Sequence, residues 1–241
     1  AHRRLPQMGR TFLQEARPTT FGMRVAGWLE PLLRQIEGLR AIRRGLAIQL
    51  GGPVGTRAEL GTEAAEVVAA ASRHLGLAAP ALAWHADRSR VWEIVESVEA
   101  PVRSMAKVAA DIALLSQAGV DEVAVRAGGS SSMAGKRNPI DAIHALAAAE
   151  ACRGAGAMIT GARPPELERG LGSWHVEWFA LPMVFHTAAA TLQAIERLLT
   201  SLEVNGEKMA SRVPAAEQLD LAGLDPQLEA VVALYDRVVG R

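Results

Sequence analysis

Between Thr20 and Ala47 the residues Val25, Trp28, Leu29, Leu32, Leu33, Ile36 and Leu39 recur mostly at intervals of three and four. That is the period of a helix with one apolar stripe, and it predicts a helix over this span. The segment Gly51-Gly52-Pro53-Val54-Gly55-Thr56 breaks it. A second helix is expected from Arg57 to about Leu75, and Gly76 to Pro80 reads as a loop. From Asp87 to Gln117 the only strong breaker is Pro101, so one long helix is expected there, kinked or restarted at the proline. The stretch from Ala118 to Pro139 is rich in Gly and Ser and has little hydrophobic period. Another helix follows Pro139 through Ile140, Ile143, Leu146, Ala149 and Ala157. Gly161 to Gly172 holds two prolines and reads as a loop. A last long helix is expected from about Trp174 to Leu202, and a short one from Asp225 to Val239.

Helices of this length joined by loops fit an all-α fold, a long antiparallel bundle. The bundle is expected to occupy residues 1–210, with 211–241 as a short helical tail. The 241 residues are 49% hydrophobic, enough for a sizeable core, so wholesale disorder is excluded. Lys+Arg and Asp+Glu both number 26, and this balance gives no support for a nucleic-acid partner or a polybasic membrane surface. No run of eighteen apolar residues and no charged-then-apolar leader stands out, so neither a membrane span nor a signal peptide is expected. The single Cys152 excludes an internal disulfide framework and a cysteine-based zinc site. It is compatible with a reducing, cytoplasmic setting.

Three irregular segments carry the candidate chemistry, at 9–22, 128–139 and 164–178. In Gly129-Ser130-Ser131-Ser132-Met133-Ala134-Gly135-Lys136-Arg137-Asn138-Pro139, flanking glycines allow close backbone approach. Hydroxyls, two cations and an amide follow, and Pro139 opens a helix whose free N–H groups suit an anion. This reads either as a loop closing over a carboxylate-bearing ligand or as a solvated Gly/Ser linker. In the first segment Thr11, Gln14, Thr19 and Thr20 stand beside Arg10 and Arg17. Such groups orient carboxylates, although Thr19 or Thr20 is also expected to cap the following helix. In the third segment Arg169, His175, Glu177, Trp174 and Trp178 cluster. His175 and Glu177 are two apart, which on a helix denies them a common face and argues against a two-ligand metal site. His175 is open to both a binding and a purely structural reading.

Gly129-Ser130-Ser131-Ser132-Met133 with Lys136, Asn138 and Pro139 resembles the signature loop of the fumarase/aspartase superfamily, with Ala134 where that pattern has Pro. Gly9-Arg10-Thr11, then Gln14 and Pro18-Thr19-Thr20-Phe21-Gly22, resembles its second signature, in the same order along the chain. Phe12 stands where fumarases and adenylosuccinate lyases carry His, which looks like the cycloisomerase branch. The runs Gln49 to Thr56 and Leu167 to Trp178 are similar to that branch as well. The resemblance covers roughly residues 1–210.

The resemblance implies a homotetramer whose active sites are shared between subunits. It implies lactonisation of a tricarboxylate muconate in protocatechuate breakdown, with no metal or organic cofactor. It implies Ser130 as general acid/base with Ser131 as the neighbouring alternative. Lys136, Asn138, Thr11, Gln14, Thr19, Arg169 and His175 would contact substrate. The alternatives are a superfamily lyase acting on a succinyl adduct, or a non-catalytic helical homologue. Superfamily members carry a further domain before the Gly-Arg-Thr signature. The chain begins at Ala1 without Met, so it is expected to be the central part of a longer enzyme.

Overall fold

The computed structural model describes residues 2–126, 128, 133, 136–215, 217, 219 and 221–240. A hairpin of β1 (Pro6–Thr11) and β2 (Gln14–Thr20) precedes the long helix α1 (Phe21–Gly45). The chain continues through α2 (Ala64–Leu75), α3 (Ser89–Leu115), β3 (Val123–Ala124) and α4 (Ile140–Thr160). It ends with α5 (Glu177–Thr200), β4 (Glu203–Val204), α6 (Gly206–Ser211) and α7 (Leu221–Val239). The long-helix bundle is therefore present, and prolines 31, 101 and 182 are carried inside α1, α3 and α5.

Local chemistry explains where the helices differ from expectation. Residues 58–63 are 3-10 rather than α-helical, because Gly61 takes φ 57° and interrupts the run before α2. Ser173–Val176 is likewise a 3-10 turn, so α5 starts at Glu177. At the start of α1 the Thr20 hydroxyl accepts the Met23 N–H at 3.0 Å, so the capping threonine is Thr20 and not Thr19. Asp87 accepts the Ser89 N–H at 3.0 Å as α3 begins. The last helix begins at Leu221, four residues before the expected Asp225.

The chain divides into two compact units, 1–34 with 101–149 and 189–241, and 35–100 with 150–188. In the first, Leu33, Ile112, Leu198 and Met209 are fully buried. Burying each such side chain stabilises by roughly 1.5–3 kcal/mol. Phe21 packs edge-on against Trp28 at 6.1 Å, and the Trp28 indole N–H donates to Asp111 Oδ2 at 2.7 Å. β3 pairs antiparallel with β4. Asp141, in the first turn of α4, is buried and accepts from Arg197 Nε at 2.8 Å, tying α4 to α5.

In the second unit α3 and α4 meet at Glu99 and Gly156. A Cβ on Gly156 would lie 1.5 Å from Glu99 Oε1 and 3.2 Å from Val95 Cγ1, so a larger residue there must displace the buried Glu99 carboxylate. Cys152 is buried there and free of any disulfide.

α5 leaves Trp178, Phe179, Met183, Phe185, Leu192 and Leu199 exposed. By length and composition alone, Ser173–Thr200 is apolar enough to cross a membrane, which the absence of an eighteen-residue apolar run did not suggest. Glu177, Glu196 and Arg197 interrupt that stretch.

Candidate active site

The segment 9–22, expected to be irregular, is mostly the β1–β2 hairpin. Thr11 pairs with Gln14 across a two-residue tip, and Thr19 pairs with Gln7. Phe12 and Leu13 form the tip with φ 50° and 63°. A turn of this hand suits the twist of a hairpin but normally uses Asn-Gly. The bulky pair costs about 1 kcal/mol or more per residue. Phe12 is 100% exposed. Thr11 and Gln14 are thus presented together at an apolar, strained tip. Thr19 stands five residues from Gln14 along β2, roughly 16 Å away at 3.3 Å per residue. One small substrate therefore does not bridge Thr19 and the tip of the same hairpin.

The hairpin is anchored by a network that sequence reading did not single out. Arg10 donates to Glu122 Oε1 at 2.5 Å and Oε2 at 3.2 Å. Gln7 Nε2 donates to the same carboxylate at 2.6 Å. Gln7 and Glu122 are completely buried. The hydrogen bond to Glu122 raises the Arg10 pKa further above its usual range. Gly9 completes the fit, since a Cβ there would sit 2.8 Å from the Arg17 carbonyl oxygen.

The glycine- and serine-rich loop is pinned where it leaves and rejoins the fold. Gly128 N donates to Asn138 O at 2.9 Å, and Asn138 N donates to Gly128 O at 3.2 Å. Ile143 N donates to Pro139 O at 3.1 Å, so Pro139 opens α4 as expected. Lys136 is exposed. Asn138 lines a cleft of about 470 Å³ with Arg137, Ser116, Asp121, Glu203 and Asn205. Ser130 and Ser131 lie outside the described residues.

In the second unit Arg169 donates to the carbonyls of Pro53 at 3.1 Å and Gly52 at 3.3 Å. Two motifs far apart in sequence thus meet there. His175 stacks on Trp174 at 3.9 Å and meets Trp178 edge-on at 4.7 Å. Its Nδ1 is buried without a hydrogen-bond partner. His85, which sequence reading missed, packs edge-on against Trp174 at 4.8 Å, and its Nε2 is buried and unpartnered too. Burial lowers the His85 pKa, and the nearby Arg169 and Arg88 charges push the same way, so the ring favours its neutral form. Glu177 pairs with Arg88, whose Nε lies 2.8 Å from Oε1, and not with His175. Among the described residues, no three His, Cys, Asp or Glu side chains gather as a metal-ligand cluster.

Among the described residues, the hairpin tip, the segment before α4 and the turn around His175 thus carry hydroxyl, amide and basic side chains. Residues 1–156 match the lyase family model. The chain belongs to this lyase family, and its bundle is of the fumarase/aspartase type. It is 40% identical over its whole length to a 3-carboxy-cis,cis-muconate cycloisomerase of Pseudomonas aeruginosa, of which it covers 52%. It is 37% identical over 92% of its length to an enzyme of the same name from Acinetobacter baylyi, covering 50% of it. The crystal structure of the 3-carboxy-cis,cis-muconate lactonizing enzyme from Pseudomonas putida superposes with a TM-score of 0.82 at 33% identity. That match covers 99% of this chain and 56% of the crystallised one. The chain spans about half the length of the curated relatives it matches.

Proposed function

We propose that the protein containing this chain is a cycloisomerase that lactonises 3-carboxy-cis,cis-muconate to 4-carboxymuconolactone in protocatechuate degradation. The observation that carries this reading is Phe12, fully exposed between Thr11 and Gln14 at the hairpin tip. It puts an apolar ring where the superfamily's elimination enzymes carry an imidazole. The similarity to muconate cycloisomerases supports the same reading.

In this reaction one substrate carboxylate oxygen adds to a diene carbon. A proton is delivered to the neighbouring carbon, which lies α to another carboxylate. Charge builds up on that carboxylate as an aci-form, and fixed donors lower the barrier most where charge develops. Ser130 is the proposed acid, giving its proton to carbon and recovering one from water, with Ser131 as its neighbour. Lys136 and Asn138 hold the aci-carboxylate. Thr11, Gln14, Arg169 and His175 orient the other carboxylates. Thr19, roughly 16 Å along the strand from Gln14, is left out of this set. The chemistry calls on no metal or organic cofactor.

The active unit is proposed to be a cytoplasmic homotetramer with sites shared between subunits. The exposed apolar row of α5, with Ile143 and Met158 of α4, supports burial against further copies. Residues 1–210 are proposed as the bundle and 211–241 as its appendage. The test is a spectrophotometric assay. Loss of muconate diene absorbance supports lactonisation, whereas fumarate release from a succinyl adduct with no action on muconate rejects it.

A further inference from the structure

A second feature of the first unit has no role in the lactonisation scheme. A cleft of about 310 Å³ lies between the base of the hairpin, α1 and α3, and is lined by Gly9, Thr19, Arg24, Gly27, Lys107 and Asp111 among others. Arg10 borders it but is already neutralised by Glu122.

Arg24 is different from several other arginines of the first unit. Arg3, Arg4, Arg10, Arg126, Arg197 and Arg212 each lie against a carboxylate. Arg24 is half-buried, and its hydrogen bond runs from Nε to the neutral Gln7 Oε1 at 2.7 Å. Gln7 is held in that orientation because its amide nitrogen is committed to Glu122. The two terminal nitrogens of the Arg24 guanidinium have no hydrogen-bond partner among the described residues. Burial lowers the Arg24 pKa, with the Asp111 charge opposing that shift. A partly desolvated cation with no carboxylate in direct contact is costly, and a bound anion relieves the cost.

The other walls fit an anion as well. Lys107 stands at the rim with Nζ 2.5 Å from Asp111 Oδ2, and the same oxygen accepts the Trp28 N–H. Asp111 is thereby occupied by a cation and an indole. The Thr19 hydroxyl has no hydrogen-bond partner among the described residues, and glycines 9 and 27 leave the backbone bare of Cβ atoms. Counting Arg10 with Glu122 and Lys107 with Asp111 leaves the Arg24 charge unmatched.

We propose that this cleft is a carboxylate-binding site separate from the hairpin tip, with Arg24 as the guanidinium fork, Lys107 as the second cation and Thr19 as the hydroxyl. Its ligand class is a small di- or tricarboxylate. The site does not depend on the lactonisation reading, since it is defined by binding and not turnover.

The test is calorimetric titration of the full chain with tricarballylate, a saturated tricarboxylate that cannot be lactonised. Binding is expected to weaken at least tenfold in R24Q and about threefold in K107Q, and to fall with added salt. Lys107 sits at the exposed rim, so K107Q and T19V decide the matter if R24Q fails to fold. No binding by the unsubstituted chain, or unchanged affinity in both K107Q and T19V, overturns the proposal. Inorganic phosphate serves as the second probe and is expected to bind more weakly. Tighter binding of phosphate than of tricarballylate overturns the assignment to carboxylates.

Discussion

Arg10 and Glu122, 112 residues apart, form a two-point ion pair at 2.5 and 3.2 Å whose carboxylate is sealed from water. It ties the hairpin that presents Thr11 and Gln14 to the connection after α3. Removing one partner of a buried pair leaves the other uncompensated, at a cost of about 3 kcal/mol or more. Glu122→Gln is therefore expected to lower the unfolding free energy, read from the urea midpoint, by an amount of that order. A midpoint unchanged in far-UV circular dichroism would show that the pair does not anchor the hairpin.

The Gly156 contact gives a paired prediction. Gly156→Ala forces a methyl group against Glu99 and Val95 and is expected to destabilise by about 1–3 kcal/mol. Gly154→Ala, two residues away in the same helix with nothing within 4 Å of its Cβ, is expected to stabilise by about 0.5–1 kcal/mol. Equal effects in thermal unfolding would contradict the close approach of α3 and α4.

The tip of the hairpin separates stability from function. Replacing Phe12-Leu13 by Asn-Gly removes two strained positive-φ residues and is expected to stabilise the chain by about 1–2 kcal/mol. The same change removes the exposed apolar tip, so turnover of the full-length enzyme is expected to fall. Stability and turnover are read on the same variant. A variant both less stable and fully active goes against both halves of this expectation.

His85 sets a pH dependence. Its folded pKa lies below the ordinary value of 6.5, so near and below that pH the unfolded chain binds a proton that the folded chain refuses. Stability should then fall as pH drops from about 6.5 toward the folded pKa, and be indifferent to this residue above it. The melting temperature of His85→Gln, scanned from pH 7.5 to 5, should fall less steeply than that of the unsubstituted chain. Parallel curves would remove His85 as a cause.

The long helices were legible because their apolar residues keep the 3.6 period over many turns. The hairpin was not. Its bulge between Met8 and Arg10 breaks the alternation, leaving Gln7 and Met8 both buried side by side. β3 and β4 are two residues each, too short to leave a pattern. The signature positions Thr11, Gln14, Lys136 and Asn138 could be named from motif spacing. Glu122 and His85 could not, because each acquires its role only through partners far along the chain. Arg24 stood in plain view inside a helix, and only the neutral partner it meets on folding sets it apart.

The most direct measurement is the decay of diene absorbance of 3-carboxy-cis,cis-muconate with the full-length protein that carries this chain, and with its Ser130→Ala variant. Lactonisation with Ser130 as the acid predicts steady loss of absorbance and a lactone product. It also predicts a rate at least a hundredfold lower in the variant, in line with the usual worth of a general acid. An unsubstituted enzyme that leaves the muconate untouched contradicts the proposed reaction, and a variant with undiminished rate contradicts the proposed acid.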